Sequence, residues 1–125
     1  MQPLLILLLL GLPAFQTYRP QPPALVRVEN LTYRVTLVAR FTDPNQVGEV
    51  DYSAHVIRLR AGLRLEDEAE DLMHELLHAM LKDEGTREEM TGHDFIYLVA
   101  PKLISTLYAE NPQLGKYMDR AARSR

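Results

Sequence analysis

Residues 65–81 read Leu65-Glu66-Asp67-Glu68-Ala69-Glu70-Asp71-Leu72-Met73-His74-Glu75-Leu76-Leu77-His78-Ala79-Met80-Leu81. Leu65, Ala69, Leu72, Leu76, Ala79 and Met80 fall on one stripe at helical period, and Met73 and Leu77 widen it. Glu66, Asp67, Glu68, Glu70 and Asp71 crowd the first turns, where negative charge suits the positive end of the helix dipole. Lys82 and Gly85 supply the stop signals. The spacing predicts a helix over 65–81 with one face in a core.

Within that helix, His74 and His78 are one turn apart, so their side chains lie one above the other. Two imidazoles so placed can grip a single ion. Glu75, next to the first of them, is positioned to take a proton from water polarised by that ion. This is the chemistry of the H-E-x-x-H pattern in zinc hydrolases.

Such a site takes three protein ligands and leaves one position open. The extended pattern H-E-x-x-H-x-x-G-x-x-H fails here, because Leu81 and Glu84 stand where Gly and His are needed. The remaining candidates are His93, Asp94, Glu88 and Glu89. A second helix is expected from Gly92 to about Glu110, kinked at Pro101, with Thr91 and Asp94 forming a capping box. Phe95, Ile96, Val99, Leu103 and Leu107 define its inward face, and His93 lies at the edge of that face. Asp94 points to the polar side. His93 is therefore the expected third ligand, with Asp94 as the alternative. Glu88 and Glu89 read as solvated loop residues, Tyr97 as a packing residue before an oxyanion donor, and His55 as structural.

Outward from the helix, Leu31 to Ala39 alternates with period two and reads as a strand with one buried face. Asp43-Pro44-Asn45 is turn chemistry. Gly48 to Tyr52 and His55 to Leu59 follow as two more strands joined at Ser53-Ala54, which together predict a small antiparallel sheet. Asn111-Pro112 ends the second helix, and a short amphipathic helix closes the chain with a solvated basic end at Lys116, Arg120, Arg123 and Arg125.

The chain has 125 residues, 46% apolar and 25% charged, which suits one globular domain with a modest core. A net charge of −3 gives no general attraction for nucleic acid. With no cysteine, any metal must be held by His, Asp or Glu. Residues 1–16 form a hydrophobic leader whose run from Leu4 to Leu12 is shorter than the about 20 residues of a membrane span. That run fits a signal peptide or a membrane-associated segment, although no Lys or Arg precedes it. Cytoplasmic and exported or tethered placements both stay open. Residues 17–24 read as a Pro-rich spacer and 25–125 as the single domain.

The stretch His74-Glu75-Leu76-Leu77-His78-Ala79, followed by Gly92-His93-Asp94-Phe95, resembles the SprT-like (Spartan-type) zinc metallopeptidases. Those carry an H-E-x-x-H-A helix and a third histidine in a Gly-His-x-x-Phe-like segment about fourteen residues on. Gly48-Glu49-Val50 and Ile57-Arg58-Leu59 also fit that family's strand pattern, so the likeness spans residues 48–100. Small phage and bacterial metallopeptidases with an Asn-Pro segment like Asn111-Pro112-Gln113-Leu114 are similar too. The resemblance implies a zinc ion held by His74, His78 and His93, with Glu75 as the catalytic carboxylate acting on a protein or peptide substrate. An acidic third ligand in related small zincins keeps Asp94 in play. The chain departs from the family in lacking cysteines for a zinc ribbon and any large basic extension, so cleavage of DNA-crosslinked proteins is not implied.

The expected fold is α+β, a minimal zincin-like arrangement of a small antiparallel sheet, the H-E-x-x-H helix and a second helix. The expected activity is zinc-dependent peptide hydrolysis by a monomer, and an edge strand at His55 to Leu59 is expected to align an extended substrate. The alternative is a zincin-like metal-binding regulatory protein without turnover.

Overall fold

The computed structural model describes residues 19–82 and 100–124. Four strands, β1 (Leu25–Val28), β2 (Leu31–Val38), β3 (Gly48–Asp51) and β4 (Val56–Arg60), make one sheet in the order β1-β2-β4-β3. Three helices follow: α1 (Leu65–Leu81), α2 (Ala100–Glu110) and α3 (Pro112–Arg123). The fold is α+β.

The sheet differs from expectation in being mixed. β1 and β2 form a hairpin, closed at Val28 and Leu31, with Glu29 in the left-handed region at φ 56°. β3 and β4 are also antiparallel, with Val50 opposite Ile57. β4, however, lies parallel to β2, with Val35 beside Ile57 and Leu37 beside Leu59. A parallel pair needs a long crossover. Residues 39–55 supply it by running out to β3 at the far edge before returning as β4 between β3 and β2. β1, a fourth strand next to the Pro-rich stretch, was not among those expected.

Two local expectations also change. Val56–Arg60 is an interior strand paired on both sides, so it offers no edge to a substrate. The link before it is the four-residue turn Tyr52–His55 rather than a tight Ser53-Ala54 turn. The Asp51 carboxylate shapes this turn by accepting the Ala54 amide at 3.0 Å and the Ser53 hydroxyl at 3.1 Å. These bonds, the Ala54 one foremost, hold its carboxyl below the usual range. His55 stands just before β4 in the left-handed region, at φ 55°, with its ring centroid 5.5 Å from that of Tyr33.

α1 occupies the span its periodicity predicts and lays the expected stripe on the sheet. Leu72 and Leu76 are wholly buried, in one cluster with Ile57 and Leu59 of β4 and Tyr33 of β2. The helices cover only part of the apolar face of β2, because Leu31 and Leu37 remain 38% and 40% exposed. Leu107 of α2 and Leu114, Tyr117 and Ala121 of α3 complete the core. The segment expected to precede Ala100 in the second helix lies outside the described residues, as does the leader. Among the described residues, no helix is long and apolar enough to cross a membrane.

Two polar contacts lock this packing. Glu68 falls on the apolar stripe of α1 and is 1% exposed, yet both its oxygens are satisfied. The Tyr117 hydroxyl donates to Oε1 at 2.6 Å, and the Arg19 guanidinium donates to Oε2 at 2.9 Å. Arg19 belongs to the stretch read as a spacer, so that stretch is tied to α1. Asn111, between α2 and α3, accepts the Arg27 amide at 2.7 Å and donates to the Arg27 carbonyl at 2.8 Å, capping the outer side of β1.

A buried carboxylate that loses one donor carries the desolvation penalty of an unsatisfied oxygen. Tyr117→Phe should therefore lower stability by about 1–3 kcal/mol. A urea unfolding curve shifted to lower midpoint with unchanged slope would register it; an unshifted midpoint would show that the Tyr117 bond contributes nothing net.

Candidate metal centre

α1 divides its side chains between two tasks. One side carries the core stripe, and the other carries His74, exposed, and His78, half-buried. Their rings meet nearly edge to face, with centroids 4.6 Å apart and planes at 77°. The two Nε2 atoms converge to 3.0 Å. At that separation both nitrogens can lie about 2.0–2.1 Å from one ion, the ordinary zinc–imidazole distance. The pair therefore fits a shared metal as two ligands.

β3 and the loop after it flank the pair. The Tyr52 hydroxyl donates to the His78 carbonyl at 3.4 Å, and the Lys82 ammonium stands 5.2 Å from the centre of the Tyr52 ring. These contacts tie the sheet side of the site to the helix turn that carries the second imidazole.

Glu75 lies between helix and sheet. It is 9% exposed and accepts no hydrogen bond among the described residues, although every fully enclosed polar side-chain atom there has a partner. An ionisable oxygen that is almost enclosed but unbonded is costly unless a small donor, such as water, reaches it. Burial is the main force raising its pKa from 4.5 to about 7, and the nearby carboxylates of Asp71 and Glu49 push it the same way. Asp71, one turn before Glu75, is itself raised by burial, with His74 pulling in the opposite direction. A carboxylate that exchanges its proton near neutrality has the affinity a general base requires.

His93 and its alternative Asp94 lie outside the described residues, as do Glu88, Glu89 and Tyr97. Among the described residues, no third His, Cys, Asp or Glu joins the histidine pair in a cluster able to hold an ion. The structure thus brings together His74 and His78, with Glu75 next to His74 in the same helix.

Sequence reasoning did not find Asp71, Glu49 or Gly48 as neighbours of Glu75. Asp71 had a signal, since it is four positions before Glu75 on the same helix. Glu49 and Gly48 reach the site only through the sheet order, which periodicity does not encode.

The pH dependence of the metal-free protein follows from Glu75. Its folded-state pKa of about 7 exceeds the ordinary 4.5. Between those values the folded state holds the extra proton, so stability should fall as pH rises from 4.5 toward 7 and level off above. Denaturation midpoints in chelator should show this decline in the wild type. Glu75→Gln should flatten it; an identical profile in the variant would remove Glu75 as its source.

Family models, curated proteins and solved structures offer no match to this chain, so the case for its chemistry rests on its own residues.

Proposed function

We propose that this protein is a minimal zincin-like metallopeptidase that hydrolyses peptide bonds with zinc held by His74, His78 and His93. The observation that carries this reading is the convergence of two imidazole nitrogens to 3.0 Å beside Glu75, a nearly enclosed carboxylate with no described hydrogen bond. Without an ion the two rings share a hydrogen bond at that distance, and a bound ion would take the place of its proton. The resemblance to SprT-like peptidases in the H-E-x-x-H-A and Gly-His-Asp-Phe segments supports the same reading and supplies His93, with Asp94 as the alternative, for the third ligand position.

Zinc in such a site lowers the pKa of bound water toward about 7 and polarises the scissile carbonyl. Glu75 would take a proton from the attacking water and return it to the leaving amine. Glu75 is only 9% exposed, so bulk water has little access to that carboxylate. For substrate alignment the relevant strand is β3 rather than β4, because among the described residues β3 is paired on one side only. An extended peptide pairing there would run beside Gly48 to Asp51 and past Glu75.

Purified protein should contain one zinc per chain by elemental analysis and should cleave an unfolded protein substrate. His93→Ala should lose the metal, while Asp94→Ala should keep it; the reverse pattern would exchange their assignments. Glu75→Gln should retain zinc and lose roughly 10²-fold or more in turnover, within the range of a general base. Retained hydrolysis in that variant would refute the assigned base. Stoichiometric zinc with no turnover on any unfolded substrate would favour the regulatory metal-binding alternative.

A further inference from the structure

Gly48 opens β3 opposite Leu59. Glycine is disfavoured in strands because it adds backbone entropy and packs nothing. Its backbone does not demand it either, since the positive-φ glycine among the described residues is Gly62, at 87°. The reason for a glycine at this position has to lie in what a side chain would touch.

A Cβ on Gly48 would meet Glu75 at 3.3 Å from Cγ and 3.4 Å from Oε1, and the Arg58 carbonyl at 3.5 Å. The last two are ordinary or nearly ordinary contacts. The first is tight enough that the Glu75 side chain would have to give way by a few tenths of an ångström. The carbonyl on the other side belongs to the interior strand β4, which is held by pairing on both sides. Displacement would therefore fall on Glu75, and it would move the carboxylate relative to the two imidazole nitrogens on the same helix.

We infer that Gly48 is a positioning residue for Glu75: its missing side chain leaves the space that the carboxylate occupies on the helix of the histidine pair, from which it would activate water. This inference rests on the peptidase reading above. Gly48 touches no reacting atom and acts only through the place it gives Glu75. A misplacement of a catalytic group by about 1 Å can reduce turnover about 10²-fold, and smaller shifts cost proportionately less. A methyl group here should accordingly cost about tenfold, and an isopropyl group more.

The test compares zinc-loaded full-length wild type, Gly48→Ala, Gly48→Val, Glu75→Gln and the Gly48→Ala/Glu75→Gln double variant on quenched fluorescent casein. Gly48→Ala should keep one zinc per chain and an unchanged or higher unfolding midpoint, because alanine suits a strand no worse than glycine. Its kcat should fall about tenfold with KM held, and Gly48→Val should fall further. In the Glu75→Gln background, Gly48→Ala should cause no additional loss, since a residue acting only through Glu75 has nothing left to position. Full turnover by Gly48→Ala, loss of its zinc, or multiplying effects in the double variant would each overturn the inference and leave the peptidase reading intact. A wild type with zinc but without hydrolysis would overturn both.

Discussion

Leu72 and Leu76, wholly buried in one cluster with Ile57 and Leu59, fix the rotation of α1 on the sheet. Because a helix has a single rotation, that apolar contact also decides where every other side chain of α1 points. His74 and His78 are turned away from the core to a shared point, and Glu75 is left at the boundary between helix and sheet. Burying four such aliphatic side chains stabilises the domain by roughly 1.5–3 kcal/mol each relative to exposure. The geometry of the candidate site is thus supported by the same contacts that hold the fold.

Two glutamates seven positions apart on α1 illustrate how the surroundings choose a carboxylate's role. Glu68 and Glu75 both reach the buried side of the helix. Glu68 receives a tyrosine hydroxyl and a guanidinium, one on each carboxylate oxygen. Among the described residues Glu75 receives neither; burial first, and then the nearby carboxylates of Asp71 and Glu49, raise its proton affinity. Satisfied, the group is a structural tie between the N-terminal stretch, α1 and α3. Unsatisfied, it is a candidate base.

What the sequence reveals depends on the range of the interaction. α1 is legible to its ends, because helical period, acidic first turns and a basic stop are all local. The His74–Glu75–His78 constellation is legible for the same reason. β2, β3 and β4 were recognisable as strands and β1 was not, and the direction and order of pairing were not legible: alternation says that a segment is extended, not which neighbour it joins. Hence β4 was expected at an edge and found inside. Glu68 carried a signal, as an acidic residue on an apolar stripe, although its partners Arg19 and Tyr117 are 49 positions away on either side. Gly48 carried none, since its meaning depends on a contact made across the sheet.

The amide of Asn111 has one consequence for association between molecules. By accepting from and donating to the same residue of β1, it substitutes for a pairing strand at the point where a foreign chain would begin to add. One flank of the sheet is thereby blunted by a single side chain. Any strand recruitment by this domain is directed to the opposite flank, and lateral polymerisation through both borders at once, the route to fibrous aggregates, meets a gatekeeper at the first step.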